Sequence, residues 1–350
     1  MTEVLIIRLS AIGDVAMTIP VIYSAARANP SDSFTVLTQT FLLPIFINRP
    51  KNVKLIGIHT KGSEKSLRGF LRFASALVRY RYDVVLDLHG VIRSRIIDWM
   101  FRVRGRSVFV LDKMRKERRR LVRKPPKDIR PLPDMVTRYA DVFHAAGIYF
   151  DKTFVTLYDD HPLNELTVRE IAGEKTGCWV GIAPFARYRG KIYPPEQMEK
   201  ALEILSRQEG MSVFLFGAKG EEERTLGEWA SRCGNTRSVA GRYSLDQELA
   251  LISKLDVLLC MDSANMHFAS LVGTKVISIW GATHPGAGFY GYRQPPELAI
   301  QTALPCRPCS IFGMKPCCRG DWACMTQITP ESVAAKVNEF LEREKAGDGV

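Results

Sequence analysis

The sequence predicts an α/β protein made of two parallel-sheet halves, and three observations predict it. Short apolar runs of strand length alternate with helical patterns along nearly the whole chain, as βαβ units require. The alternation starts afresh at residue 178, after a passage over 151–175 that contains His161-Pro162. At 350 residues the chain is long for a single core and comfortable as two domains.

Residues 4–7 are an unbroken apolar run and read as the first strand. A helix over 15–28 follows, tolerating Pro20 with some distortion. Residues 34–38 and 53–58 are the next strands, and a polar, basic stretch runs from 59 to 68. A helix over 69–80 then leads to a strong strand at 83–88, and His89-Gly90 turns into a helix over 91–103. Residues 107–111 form a strand, and Pro125, Pro126, Pro131 and Pro133 break the chain before a helix over 135–146. In the second half, strands are expected at 178–183, 212–216, 257–260 and 275–280. Helices are expected over 195–208, 221–233, 245–254, 266–271 and 330–345. The expected domains are residues 1–155 and 177–330, with a linker over 156–176. Residues 331–350 would form a terminal helix that crosses back to the first domain.

No apolar run approaches the roughly 20 residues that span a bilayer. The first strand is broken at once by Arg8, unlike a signal peptide. A cytoplasmic protein is expected. Charge is unevenly spread: residues 1–150 carry a net +15 and residues 151–350 a net −3. The surplus peaks in the run 113–124. A half this basic calls for an anionic partner: nucleic acid, an acidic membrane surface or a phosphorylated substrate. The bland alternative is a solvated helix face or loop.

Of eight cysteines, Cys178, Cys233 and Cys260 are scattered as small core residues would be. Five more cluster between 306 and 324. The preferred reading is reduced thiols in a loop. The alternative is a structural zinc on Cys306, Cys309, Cys318 and Cys324, since Cys306-Arg307-Pro308-Cys309 has ligand spacing.

Two strand–turn–helix junctions carry the chemistry, each at the carboxyl edge of a sheet, where ligands of such folds sit. One is Arg8-Leu9-Ser10-Ala11-Ile12-Gly13-Asp14. Asp14 is either an N-terminal cap or a general base taking a proton from an attacking hydroxyl, held ionised by helix N–H donors. Gly13 lets the backbone approach a ligand. The other junction is Asp262-Ser263-Ala264-Asn265-Met266-His267. Its free N–H groups from Ser263 to Met266 form a diphosphate site, with Asp262 as cap and His267 one turn on. Between them lies the basic loop Arg187-Tyr188-Arg189-Gly190-Lys191, with Lys191 the first choice for phosphate contact and Arg187 the second. Gly281-Ala282-Thr283-His284-Pro285 is a further edge loop. Neither a dinucleotide fingerprint nor a P-loop is present, and no acidic pair is spaced to hold a catalytic magnesium.

Together these residues resemble glycosyltransferase family 9, the ADP-heptose:lipopolysaccharide heptosyltransferases. The likeness runs in order through Ile6-Ile7-Arg8-Leu9-Ser10-Ala11-Ile12-Gly13-Asp14-Val15, Asp87-Leu88-His89-Gly90 with Arg93-Ser94, and Lys191-Ile192-Tyr193-Pro194. It continues through Phe216-Gly217-Ala218 with Glu221-Glu222-Glu223, then Asp262-Ser263-Ala264-x-x-His267, and ends at the cysteine loop before Met325-Thr326. The resemblance implies a GT-B fold, two Rossmann-like domains with parallel sheets facing a central cleft. It implies inverting, metal-independent transfer from ADP-heptose or a related nucleotide-sugar. By position Asp14 matches the general base, Lys191 the phosphate-binding lysine, Asp262 to His267 the donor motif and Glu221 a donor-side acid. Ser10, Arg68 and Arg93 are the acceptor-side candidates, for an acidic Kdo–lipid A-like glycolipid at the cytoplasmic face of the inner membrane. A monomer without cofactor or nucleic acid is expected. This chain has Ala264-Asn265 where glycine and an apolar residue or proline are common, and His89 where glutamine is usual. The rival readings are another GT-B nucleotide-sugar enzyme with a different donor or an epimerase activity, a non-catalytic scaffold, and a basic nucleic-acid-binding protein.

Overall fold

The computed structural model describes residues 1–123 and 129–347. Lys124 at the end of the basic run, Pro125, Pro126, Lys127 and Asp128 after it, and the last three residues of the terminal segment lie outside that description. The chain divides into two compact units, residues 1–114 with 133–161 and residues 115–132 with 162–350.

The first unit runs β1 (Glu3–Ile7), α1 (Ile12–Ala16), α2 (Ile19–Ala28), β2 (Ser33–Gln39), β3 (Val53–Ile58), α3 (Leu67–Leu77), β4 (Val84–Asp87), α4 (Ile92–Arg102) and β5 (Ser107–Val110). After α5 (Arg115–Leu121), which belongs to the second unit, α6 (Met135–Ala145) completes it. The five strands are all parallel in the order β3-β2-β1-β4-β5. Val4, Leu5, Ile6 and Ile7 are fully buried, because helices cover both faces of the sheet. The strand order reverses between β1 and β4, which opens the ligand crevice of a doubly wound sheet there.

The second unit continues with α7 (Glu165–Ala172), β6 (Cys178–Ala183), α8 (Pro195–Ser206), β7 (Met211–Leu215), α9 (Glu221–Arg232), β8 (Thr236–Ser238), α10 (Leu245–Ile252) and β9 (Val257–Met261). Then come α11 (Ala264–Leu271), β10 (Val276–Trp280), β11 (Ala299–Gln301), α12 (Ala323–Thr326) and α13 (Pro330–Ala346). Its parallel sheet is ordered β11-β10-β9-β6-β7-β8 and reverses between β6 and β9.

The departures from the sequence reading have identifiable causes. The helix expected over 15–28 is two helices, broken at Met17-Thr18. Pro20 lies in the first turn of α2, where its missing N–H leaves no bond unmade. The basic run, expected within the first domain, contributes α5 to the second unit. The Arg118 guanidinium stacks over Phe289 at 5.0 Å and Phe312 at 5.6 Å, Leu121 is buried, and the Leu132 N–H donates to the Gly286 carbonyl. The terminal helix, expected to return to the first domain, packs within its own unit. There α13 lies on α8, with Val333, Val337 and Phe340 in one cluster with Leu202 and Leu205. Strands β8 and β11 are three residues each, too short to leave a period in the sequence.

Candidate functional site

In the first unit, Arg8 and Asp14 follow β1 while His89 follows β4, so the strand reversal brings them together. The Arg8 guanidinium donates to the Leu88 carbonyl at 2.6 Å and lies over the Tyr139 ring at 5.8 Å. It also pairs with Asp14 Oδ2 at 2.7 Å, their side chains being 8% and 25% exposed. Asp14 Oδ2 further accepts from the Ala11 N–H at 3.3 Å. Among the described residues the hydrogen bond and the ion pair of the carboxylate both fall on Oδ2, and Oδ1 is the oxygen offered to a proton. Asp14 is thus both cap and candidate base, and the ion pair aims it. Gly13 precedes it in α1, a helix of only five residues.

His89 is a neutral imidazole here. Burial, and then the Arg8 charge, push its pKa down to about 3. The Leu9 N–H reaches Nδ1 at 3.4 Å, so the ring proton sits on Nε2, 3.5 Å from Ser10 Oγ. Asp87 builds this turn. Its Oδ1 accepts from the N–H groups of His89 (2.8 Å) and Gly90 (2.9 Å), and Oδ2 accepts from the Ser94 hydroxyl at 2.7 Å. Of the other acceptor-side candidates, Arg93 is committed to α3, donating to the Lys65 carbonyl at 3.0 Å above the Phe70 ring. Arg68 is exposed in the first turn of α3.

Behind Asp87, burial and the Asp87 charge push the Asp98 carboxyl up to about 8. The folded chain therefore holds a proton that the unfolded chain releases near 3.8, so stability falls as pH rises from about 4 towards 8. An amide at position 98 cannot ionise, and Asp98→Asn is expected to lessen the fall of the melting temperature across that window, leaving the part owed to Glu248, whose carboxyl is also pushed up by burial, to about 7. A profile that keeps the wild-type slope would rule out Asp98 as its source.

In the second unit the strand reversal joins Lys191, after β6, to Asp262, after β9. Lys191 Nζ lies 2.9 Å from Asp262 Oδ2, with side chains 17% and 5% exposed. The residue that caps α11 is Ser263, not Asp262; the Asp262 carboxylate is turned to the lysine instead. Ser263 makes no side-chain cap bond, and its Oγ is buried without a partner among the described residues. This hydroxyl and the free N–H groups that open α11 form one donor set. Ala264 is partly exposed at that end. Met266 and His267 are buried, so Met266 can offer a ligand only its backbone.

Arg187 is exposed and stacks on its neighbour Tyr188, at 5.3 Å. Glu221 is exposed at the start of α9. The glutamates beside it are taken: Glu222 accepts from the Ala218 N–H at 2.7 Å and Glu223 from the Gly220 N–H at 3.2 Å. That singles out Glu221 from the acidic triplet.

The Lys191 turn is tied to the edge loop 281–285, and also to Gly313 and Arg307, which sequence reasoning did not place at the site. Gly190 accepts from the Ala282 N–H at 2.8 Å and donates to the Gly313 carbonyl at 3.3 Å. A Cβ on Gly190 would stand 2.7 Å from that carbonyl oxygen, so the seam admits only glycine. Arg307, buried in the cysteine loop, clamps the same edge by donating to the carbonyls of Thr302 (2.6 Å) and Thr283 (3.0 Å). The signal was an arginine between two cysteines, which spacing alone reads as metal chemistry. Here none of the eight cysteines is joined in a disulfide, and the described residues contain no group of three or more His, Cys, Asp or Glu placed to hold a metal ion. The zinc set on Cys306, Cys309, Cys318 and Cys324 is not assembled. Cys318 is exposed, whereas Cys324 is buried.

Comparison with known proteins identifies the family and the fold. The family model described as glycosyltransferase family 9 (heptosyltransferase) matches residues 70–309, more than half of the chain. Lipopolysaccharide heptosyltransferase 1 of Pseudomonas aeruginosa is 25% identical over 97% of this chain and 98% of its own. Lipooligosaccharide heptosyltransferase 2 of Haemophilus influenzae is 24% identical over 97% and 100%. Among solved structures, a family 9 glycosyltransferase from Veillonella parvula superposes with a TM-score of 0.73 at 17% identity, covering 97% of this chain and 96% of its own. The E. coli heptosyltransferase WaaC with ADP-2-deoxy-2-fluoro heptose gives 0.68 at 18%, covering 97% and 99%. These structures bear out the expected fold class, two Rossmann-like parallel sheets of the GT-B type. The chain belongs to glycosyltransferase family 9 and is a glycosyltransferase.

Proposed function

We propose that the protein transfers a heptose from ADP-heptose to an acidic glycolipid of the lipopolysaccharide core, with inversion and without a metal. Asp14 Oδ1 takes the proton of an acceptor hydroxyl as that oxygen bonds to the anomeric carbon. The anomeric carbon–oxygen bond to the diphosphate breaks on the opposite face, and ADP leaves. Lys191, the Ser263 hydroxyl and the N–H groups from Ser263 to Met266 receive the departing charge. Arg187, Glu221 and His267 complete the donor side, while Ser10, Arg68 and Arg93 serve the acceptor.

The observation that carries this reading is the Lys191–Asp262 pair beside the unpartnered Ser263 hydroxyl at the opening of α11. Cation, hydroxyl donor and helix N–H groups at one sheet edge are what a diphosphate needs. Domain boundaries near 155 and 176 are proposed to separate acceptor from donor functions. The reading also places the protein on the cytoplasmic face of the inner membrane. No helix among the described residues is long and apolar enough to cross a membrane.

Isothermal titration with ADP, ADP-heptose, UDP and GDP, without added metal, tests the donor. Selective binding of ADP and ADP-heptose is expected. Preference for UDP or GDP would keep the chemistry and change the donor, and no binding to any of them would overturn the reading.

A further inference from the structure

We infer that the outward face of α3 and α4 is a membrane-docking face, and that its occupant is an anionic phospholipid surface. The two helices lie side by side on one face of the first sheet. Arg93 of α4 reaches Lys65 and Phe70 at one end, and Tyr82, just beyond α3, meets Phe101 of α4 edge-on at 6.1 Å at the other. Their inner sides share a core with Leu5, Ile7 and Val85 of the strands.

The outer side breaks the pattern of a solvated helix face. Ile92, Trp99 and Val103 are 80%, 65% and 66% exposed, and Ile96 between them is partly so. Positions 92, 96, 99 and 103 form one helical stripe. Arg95 and Arg102 flank it, both exposed. Leu67 and Leu71 are exposed one turn apart on α3. Buried apolar area draws such a stripe into the interface of a bilayer, and tryptophan is at home there.

Charge selects the occupant. Residues 65–106 hold ten Lys and Arg against three acids. Two of those, Asp87 and Asp98, are buried, and the third, Asp83, pairs with Arg106. Where the two helices end, a cavity of about 390 Å³ is lined by Arg79, Tyr80, Arg81, Arg104 and Arg106 over Phe101. Four guanidinium groups around an open hollow suit a phosphate headgroup. The basic run 113–124, which the sequence alone makes the obvious membrane contact, is a poorer candidate. Its helix is pinned through Arg118 and Leu121 to the second unit.

This inference rests on the acceptor being a membrane glycolipid, so the test separates the two. Flotation with vesicles containing phosphatidylglycerol is compared with flotation using phosphatidylcholine alone. The wild-type chain is expected to float with the anionic vesicles and to be released by salt. Trp99→Ala/Val103→Ser and Arg102→Gln/Arg104→Gln are each expected to weaken this binding about tenfold. All four side chains are exposed, so melting temperatures should match wild type. Transfer to acceptor dispersed in detergent should persist in both variants, and its absence in the wild type would refute the activity while leaving docking intact. The docking inference is overturned if the wild type does not float, or if the variants float as it does. Retention on DNA without vesicle binding, or a dimer that Trp99→Ala dissolves, would overturn it equally.

Discussion

Replacing Asp14 by asparagine is expected to lower kcat by about 10²- to 10⁴-fold, the usual contribution of a positioned general base. Donor affinity should stay within about twofold, because the groups proposed to bind the donor are in the second unit and Asp14 is not among them. The substitution is well suited to the question. Arg8 is almost wholly buried, and removing its partner outright would strand a charge. Asparagine keeps an oxygen where Asp14 Oδ2 now meets Arg8 and the Ala11 N–H, so the turn should hold. A melting temperature close to wild type would attribute the lost turnover to the missing base. Turnover that survives in Asp14→Asn would remove Asp14 from that role. A large fall in melting temperature would instead show that the carboxylate serves mainly to neutralise Arg8, and Asp14→Glu, which keeps the charge, would then restore both stability and rate.

Much of this was legible in the sequence, for a physical reason. Strands such as residues 4–7 and 257–260 are buried on both faces, so they appear as unbroken apolar runs, and the turns after them carry the polar residues. The order of those turns along the chain already pointed to the sheet edges that hold Asp14, Lys191 and Ser263. What stayed hidden were pairings across sequence distance. Nothing local marks Asp262 as the partner of Lys191 rather than the cap of α11. Nor does anything local say that Arg307 spends its donors on the Thr302 and Thr283 carbonyls, or that Arg118 finds Phe289 and Phe312 far along the chain. The Asp87–Asp98 neighbourhood is likewise a product of packing. Helical spacing places Asp98 on the inner side of α4, but only the fold sets it beside Asp87.

Lys191→Ala should weaken ADP binding by about 10²-fold and reduce turnover further, since two buried terms change together. The first is the loss of a cation from the leaving diphosphate. The second follows from the pair: Asp262 is only 5% exposed, and without Lys191 its carboxylate would face the incoming diphosphate as an uncompensated negative charge. The double variant Lys191→Ala/Asp262→Asn therefore ought to bind ADP better than Lys191→Ala alone, because the repulsion is gone even though the cation is too. Asp262→Asn by itself releases the lysine from its ion pair, so ADP affinity should hold or rise. Titration of ADP into the three variants completes a double-mutant cycle, and the sign of its coupling decides the matter. If the double variant binds no better than Lys191→Ala, Asp262 does not act through the lysine's charge. If Lys191→Ala binds ADP normally, the cation is not at the diphosphate, and the donor site must be sought away from the opening of α11.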